Sequence, residues 1–328
     1  MRRRDLIKGI AGSAAAWPLA ARAQQSTIPV IGWLSSGSRD SDGVLRLPVF
    51  RQGLNEAGYV EGRNVVIEYR NADDQNDRLP RLAADLAGRQ VSLILAAGSP
   101  DSALAAKSAT SSIPIVFNNS ADAVQLGLVA SLNRPGGNAT GVTTVSAELE
   151  AKRLGMLREL VPSATSIAVL VNPSRPRVEA QVTQAQEATR ALGLTLHILR
   201  ASSEKEIDQV FMTLVQLRPG ALVITADGLF ADHIDQMAAL ARRYSVPATF
   251  QFREFATAGG LMSYGPRIGE TYRQAGLLAG RILKGEKPAD LPVIRPTKFE
   301  LVINMDAAKA LGIVVPISMQ MLADEVIE

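Results

Sequence analysis

The sequence predicts an α/β protein with two Rossmann-like lobes, each built on a parallel sheet flanked by helices, hinged around a central cleft. Short apolar runs, most of them without polar alternation, are typical of strands buried on both faces. These runs alternate with amphipathic helical stretches, which is the βαβ order of an open parallel sheet. Because 328 residues exceed the size at which one hydrophobic core usually stops growing, two domains are expected.

Eight apolar runs predict the strands, four on each side of the turn-rich stretch Asn133–Val142, which is expected to cross between the lobes. The predicted strands are Pro29–Leu34, Asn64–Tyr69, Val91–Leu95, Ile113–Phe117, Ser166–Val171, Leu194–Leu199, Ala221–Thr225 and Val246–Phe250. Helical spacing, in most cases ended by Gly or Pro, predicts the helices. They are Phe50–Ala57, Arg78–Arg89, Glu179–Leu192, Glu204–Leu217 and Glu270–Lys284.

The first 23 residues have the pattern of a secretory signal peptide: a basic start, the apolar run Gly9–Ala20 and the small-x-small triplet Ala21-Arg22-Ala23. Arg3-Arg4 also resembles a twin-arginine export signal, and an ordinary basic start is the alternative. The mature protein is therefore expected in the periplasm. The expected domains are the signal peptide at 1–23, lobe 1 at 28–142 plus about 251–290, and lobe 2 at 143–250 plus about 291–328.

The charge of the chain argues against nucleic-acid binding. Residues 1–23 carry five Lys or Arg and one Asp, a net charge of +4, so a whole chain at +3 leaves the remainder near −1. A nucleic-acid footprint needs a basic patch, and no Lys/Arg run longer than two follows the signal peptide. The absence of cysteine from the sequence excludes disulfides, thiol catalysis and Cys-ligated metals.

No catalytic motif is found in the sequence. It contains no G-x-S-x-G, G-x-G-x-x-G or G-x-x-x-x-G-K-[ST] pattern, and His197 and His233 do not have zinc-ligand spacing. We therefore expect no enzymatic activity, cofactor or metal. The alternative, an exported α/β enzyme, would need a paired, perturbed carboxylate site in the cleft.

Landmarks spread over the whole chain carry a family resemblance. They are Phe50–Leu54, Gly58-Tyr59, Glu61–Asn64, Ile113–Val116, Gly127–Asn138, Thr140-Gly141, Val171–Pro173, Arg253–Phe255, Gly259–Gly265, Gly280–Gly285 and Lys298–Asn304. Together they resemble the ABC-transporter substrate-binding family that includes tryptophan- and tyrosine-binding proteins. The resemblance implies a type I periplasmic-binding fold, closure on a small solute, and a membrane permease and its ATPase as partners.

The resemblance leaves two points open. Asp122-Ala123 stands where relatives often have Asp-Pro, so the solute can differ from an aromatic amino acid; an amino acid or similar small polar compound is favoured. A ligand-binding sensor that docks on a membrane receptor is the alternative to an importer subunit. In either case we expect a monomer that meets the membrane only through its partner.

Ligands of open α/β sheets bind at the carboxyl ends of the strands, so the candidate residues of lobe 1 follow its predicted strands. Hydroxyl and backbone N–H groups at Ser35, Ser36, Gly98 and Ser99 suit an anionic group; a helix cap or a flexible loop is the alternative. Asn118 and Asn119 offer amide donors and acceptors, although Asn is also a favoured turn residue.

The other candidates follow the crossover and the strands of lobe 2. Thr143 either meets the ligand or pairs in a β-ladder, and Asn172 follows a strand. Asp227 is a partner for an ammonium group or the N-cap of the next helix. Ser263 and Tyr264 supply a hydrogen bond and an aromatic wall, or simply end a strand.

Overall fold

Two sheets organise the chain in the computed structural model, which describes residues 28–144, 146–175 and 178–328. The predicted signal peptide lies outside the described residues. The first sheet has the order β2-β1-β3-β4-β5, and all its strands are parallel. Its strands are β1 Val30–Ser35, β2 Val66–Asn71, β3 Leu93–Ala97, β4 Ile115–Asn119 and β5 Ala139–Thr143. The helices between them are α1 Arg39–Ser41, α2 Leu47–Glu56, α3 Leu79–Gly88 and α4 Pro100–Ala109.

The second sheet has seven strands in the order β12-β11-β10-β9-β8-β6-β7, with only the β10–β11 pair antiparallel. Its strands are β6 Ser166–Val171, β7 Thr195–Arg200, β8 Ala221–Ile224, β9 Ala248–Phe250, β10 Met262–Gly265, β11 Glu300–Asn304 and β12 Glu325–Ile327. The remaining helices are α5 Ser146–Leu160, α6 Val178–Ala191, α7 Glu204–Leu217, α8 Gly228–Asp232, α9 Ile234–Arg243, α10 Arg253–Thr257, α11 Ile268–Leu283, α12 Met305–Ala310 and α13 Ile317–Leu322.

The predicted α/β class is confirmed. All eight predicted strands and all five predicted helices form, with ends displaced by at most three residues. The prediction succeeds because buried strands such as β3 and β6 are apolar along nearly their whole length. Among the described residues, no helix is both long and apolar enough to cross a membrane.

The stretch predicted as a turn-rich crossover contains a fifth strand of the first sheet. Residues 139–143 pair in parallel with β4 and are buried throughout. The prediction of a plain crossover was wrong because Thr140 and Gly141 read as turn residues. Thr140 is instead satisfied inside the sheet, where its Oγ1 donates a hydrogen bond to Leu291 O at 2.7 Å.

The sequence-based division at residues 251–290 also needs correction. Strand β10 pairs with β9 and β11, so this part of the segment belongs to the second sheet. Met262 and Tyr264 pack into the apolar core on one face of that sheet. Helix α11 does return to lobe 1, where it packs against α2. The chain therefore crosses between the lobes near residues 144, 266 and 295.

The α2–α11 crossing is close enough to exclude side chains, and this gives a stability prediction. A Cβ on Gly276 would stand 2.3 Å from Phe50 O and 2.7 Å from Leu54 N. We expect Gly276→Val to lower the free energy of unfolding by about 3 kcal/mol, because these backbone atoms cannot move without separating the helices. Urea denaturation measures the loss. Gly155→Ala is the matched control: it also lies within a helix, where a Cβ meets nothing within 4 Å, so unchanged or higher stability is expected. Equal effects would contradict the packing argument.

Candidate functional site

A small cavity lies between the lobes, at the strand ends where the sequence places the candidate residues. Its volume is about 50 Å³. Lobe 1 supplies Gly98 from the loop after β3 and Asn118 and Asn119 from the end of β4, and second-sheet loops supply Asp227 and Gln251. Since parallel strands carry their ligand loops at one edge, the two edges face each other across this cavity.

Two hydroxyl groups of lobe 1, next to the cavity-lining Gly98, are buried without a partner. Ser36 and Ser99 are 2% and 1% exposed, and neither Oγ has a hydrogen-bond partner in the part of the chain that the structure describes. Gly98 directly precedes Ser99 and adopts a φ of +83°. A Cβ at Gly98 would stand 2.6 Å from Ser36 Oγ. Ser99 precedes α4 as its N-cap residue, but its side chain makes no capping bond. Ser35 serves local structure, because its Oγ accepts a hydrogen bond from Gly37 N at 3.2 Å.

The two asparagines differ in how far they are satisfied. Asn118 Nδ2 donates to Thr271 Oγ1 at 3.0 Å, which ties the end of β4 to α11. Asn119 Oδ1 accepts from Ala121 N at 3.0 Å and from Thr143 Oγ1 at 3.3 Å, whereas Asn119 Nδ2 has no partner within the described ranges. Thr143 lies opposite Asn119 in the β4–β5 ladder and also donates to Ala121 O, so its hydroxyl is engaged in lobe 1.

Asp227 is the N-cap of α8 and carries an ion pair. Its Oδ1 accepts from Leu229 N at 2.9 Å and from Asn172 Nδ2 at 3.1 Å. The guanidinium of Arg175 donates to both carboxylate oxygens, and its third nitrogen donates to Asp101 on lobe 1. The helix-cap interpretation therefore holds for Asp227, and the cation beside it is an arginine of this chain.

The structure does not bring Ser263 and Tyr264 to the cavity. Ser263 lies inside β10, paired with Phe250 and Val302, so neighbouring strands cover it on both sides. Tyr264 OH accepts a hydrogen bond from Lys152 Nζ at 2.7 Å, along an open crevice of about 980 Å³ beside the lobe-crossing segments. Strand β10 has only four residues, so the sequence did not indicate which of its side chains face the cavity.

A buried charged network that the sequence did not indicate completes the site. Arg46 is 1% exposed; its Nη1 donates to Asp42 Oδ1 at 2.7 Å, and its Nη2 donates to Asp232 Oδ1 at 2.5 Å. Trp33 Nε1 and Asn71 Nδ2 donate to Asp42 Oδ2 at 2.8 and 2.7 Å. Asp232 is on lobe 2, so this network spans the cleft. The i,i+4 spacing of Asp42 and Arg46 was the only local signal.

Burial shifts the ionisation of this network. It raises the pKa of Asp232 to about 6, an effect opposed by Arg46 and reinforced by the nearby Asp74 and Asp42. Burial alone would lower the pKa of Arg46, but Asp232, together with the neighbouring tyrosine and Asp42, raises it above its ordinary value. Arg46 thus stays charged, and Asp232 ionises at a higher pH than an exposed aspartate.

The ring of Tyr272 lines the lobe 1 side of the cavity. Tyr272 is buried, its OH accepts a hydrogen bond from Gly98 N at 3.1 Å, and burial raises its pKa to about 12. Its ring stacks on Trp33 with centroids 6.1 Å apart. Trp33 itself is fully buried and is a core residue, as its position within β1 predicts.

The chemistry available here is recognition by hydrogen bonds and charge. Hydroxyl and amide donors line one side, and Asp42, Asp101, Asp227 and Asp232 outnumber Arg46 and Arg175. Across the described ranges, no group of three or more His, Cys, Asp or Glu side chains is arranged to hold a metal ion.

Known proteins of similar sequence and structure share this architecture. The tyrosine-binding protein of Clostridioides difficile (strain R20291) is 29% identical over 262 residues, covering 80% of this chain and 75% of that protein. The L-Trp complex of an ABC domain from Streptococcus pneumoniae has a TM-score of 0.78 and 24% identity, covering 92% and 100% of the two chains. A ligand-free, open substrate-binding protein with adhesive properties from Clostridium difficile has a TM-score of 0.60 and 27% identity, covering 88% and 96%.

A match to a protein family also spans most of the chain. The model of the family described as ABC transporter substrate binding protein matches residues 42–327, which span both lobes. The family and the fold are those of substrate-binding proteins rather than of enzymes, and structural neighbours include type I periplasmic binding proteins. The chain therefore belongs to the ABC transporter substrate-binding protein family and has the fold of a type I periplasmic binding protein.

Proposed function

We propose that this chain is the extracytoplasmic solute-binding subunit of an ABC importer. It captures a small polar solute, an amino acid or a similar compound, between its lobes and delivers it to a membrane permease coupled to an ATPase. The observation that carries the proposal is the set of unpartnered donors at or beside the cavity, Asn119 Nδ2, Ser36 Oγ and Ser99 Oγ. A buried donor without an acceptor is costly, so such groups mark a place where a polar solute is bound.

The unpartnered donors specify the kind of group they bind. Ser36 and Ser99 flank Gly98 at the start of α4, where the free backbone N–H groups of the first turn also favour an acceptor. A carboxylate fits this arrangement because it can accept several hydrogen bonds at once. Asn119 can serve a second acceptor of the solute from the end of β4.

The charges of the cleft support a zwitterion over a simple anion. Two arginines and four aspartates form four ion pairs between and beside the lobes, and 2 − 4 gives these six groups a formal charge of −2. An ammonium group on the solute offsets part of that excess, while its carboxylate meets the hydroxyls. The names of the related tyrosine-binding protein and the L-Trp complex support the amino-acid class.

Capture requires movement of the lobes. The cavity is only about 50 Å³ and two ion pairs join the lobes near it, so a solute enters when the lobes separate. Hinge closure around a ligand is the usual transition of two-lobed binding proteins. Binding energy then favours the closed state, which the permease recognises.

A thermal-shift screen of the mature chain, Gln24–Glu328, tests the proposal. Amino acids, sugars, organic acids and small aromatics are compared, and we expect an amino acid to raise the unfolding midpoint by several degrees. A ligand present at 100 times its dissociation constant adds ~2.7 kcal/mol to the stability. The Ser36→Ala/Ser99→Ala variant should weaken that ligand at least about tenfold, because a polar group of the ligand loses its partners. Ser112→Ala, an exposed serine outside the cleft, is the control.

Uptake by cells separates import from sensing. Deleting the gene for this chain should abolish high-affinity uptake of the amino acid that the screen identifies, and restoring the gene should recover it. Tight binding combined with unchanged uptake would contradict the importer role and favour a sensor. A folded protein that responds to no amino acid would contradict the solute class.

A further inference from the structure

We propose that Arg175 is a gate residue that holds the cleft closed and limits the rate at which solute leaves. The proposal rests on the proposed solute-binding function for the solute, but its structural part concerns the lobes alone. Arg175 follows β6 on lobe 2, and its side chain reaches across the cleft to the first turn of α4 on lobe 1. Its role is to position the lobes, and we assign it no contact with the solute.

This guanidinium has two arms, its contact with Asp227 and its contact with Asp101, and they behave differently when the lobes part. Nε and Nη2 bind Asp227, which lies on the same lobe as Arg175, and the Nη2 bond measures 3.2 Å. Nη1 binds Asp101, which lies on the opposite lobe. Opening therefore breaks the Asp101 arm and leaves the Asp227 arm intact.

Arg175 stands between the inner cavity and the outer mouth of the cleft. Asp227 and Gly98 line the inner cavity, whereas Arg175 lines a separate crevice of about 330 Å³ that opens outward. At the same place the backbones of the lobes nearly touch: a Cβ on Gly228 would stand 2.9 Å from Gly98 O and 3.2 Å from Arg175 Nη2. The bridge therefore closes this mouth where the lobes are nearest.

The gate also explains why Asp227 is not available to a solute. Its Oδ1 accepts from Leu229 N and Asn172 Nδ2 and its Oδ2 from Arg175, so both oxygens are engaged. We infer that Asp227 orients Arg175 for closure rather than binding an ammonium group. Burial would lower the pKa of Arg175, but Asp227 and Asp101 raise it, so the gate stays charged at physiological pH.

The closed arrangement gains a charge-assisted contact that is shielded from water, since the Arg175 side chain is 12% exposed. Removing one member of a buried, hydrogen-bonded charge pair at an interface mainly accelerates dissociation. The gate therefore predicts a faster release of solute in the variants, with a much smaller change in the rate of association.

Asp101→Asn is the decisive variant, because it weakens only the arm that forms on closure. The chain has no cysteine, so Arg81→Cys on lobe 1 and Gln209→Cys on lobe 2 accept spin labels at two exposed positions. Pulsed dipolar spectroscopy then reports the separation of the lobes in the mature protein, with and without L-tyrosine. We expect the ratio of closed to open molecules to fall about tenfold in Asp101→Asn. Asp101→Glu, which keeps the charge, should recover part of the loss.

The matched control is Arg200→Gln, which removes an exposed ion pair with Glu179 on lobe 2 and should leave the distances unchanged. Identical distance distributions in Asp101→Asn and the parent protein would overturn the gate. Stopped-flow measurement of L-tyrosine release, expected to be about tenfold faster in Asp101→Asn, gives the kinetic test. If L-tyrosine does not bind the parent protein, that solute assignment fails, while the distance measurement still decides the gate.

Discussion

Arg46→Met is expected to destabilise the folded protein by about 3–5 kcal/mol, the usual effect of removing one partner from a buried ion pair. The side chains of Arg46, Asp42 and Asp232 are 2%, 3% and 4% exposed, so the water that would otherwise solvate the carboxylates is excluded. Methionine keeps most of the volume of arginine but none of its charge. The loss therefore reports electrostatics rather than a cavity.

Most of that loss should come from Asp42. Asp232 is on the opposite lobe and returns to water when the lobes part. Asp42 cannot return to water in this way, because hydrogen bonds from Trp33 Nε1 and Asn71 Nδ2 hold its carboxylate inside lobe 1.

Urea denaturation of the mature protein measures this prediction, and two further variants interpret it. Asp42→Asn combined with Arg46→Met should regain at least about half of the lost stability, because no buried charge is stranded. Arg89→Met, at a position 53% exposed, should change the stability by less than about 0.5 kcal/mol. A loss in Arg46→Met that stays below about 1 kcal/mol at pH 8 would contradict the assignment of a structural ion pair.

The strands could be predicted because a strand buried on both faces appears in the sequence as a continuous apolar run. Runs such as Ser166–Val171 are apolar along nearly their whole length, and β6 spans the same residues in the structure. The strand-end rule then located Ser36, Gly98, Ser99 and Asn119 near the cleft without any knowledge of contacts. Where a strand is short or carries small polar residues, as in 139–143, it lacks a continuous apolar run and the sequence does not predict it.

The charged part of the site could not be predicted, because its contacts join residues far apart in the chain. Arg46 and Asp232 are separated by 186 positions, and Arg175 and Asp101 by 74. Each is an ordinary surface-type residue in its local sequence, and only the arrangement of the two lobes pairs them. Asp227 shows the same limit: the sequence indicated a ligand contact or a helix N-cap, but the arginine that binds it is fixed by the fold.

Gly37→Val is expected to weaken solute binding about 100-fold, because the added side chain obstructs closure of the lobes. Gly37 follows β1 on lobe 1, where a Cβ would stand 2.2 Å from Asp232 Oδ2 and 2.8 Å from Arg46 Nη1. Asp232 can give way only by breaking its bond to Arg46, so a valine keeps the lobes apart. When the closed state is rarely populated, the apparent affinity falls by the same factor.

Isothermal titration with the amino acid that the screen identifies measures the affinity, and X-ray scattering measures the radius of gyration. Gly43→Val is the control, since it lies in the π-helical segment Asp42–Arg46, also between β1 and α2, where a Cβ meets nothing within 4 Å. Asp232→Ala in the Gly37→Val background removes the obstructing carboxylate and should restore closure in part. Retention of full affinity by Gly37→Val, or an equal loss in Gly43→Val, would show that closure does not bring Gly37 against Asp232.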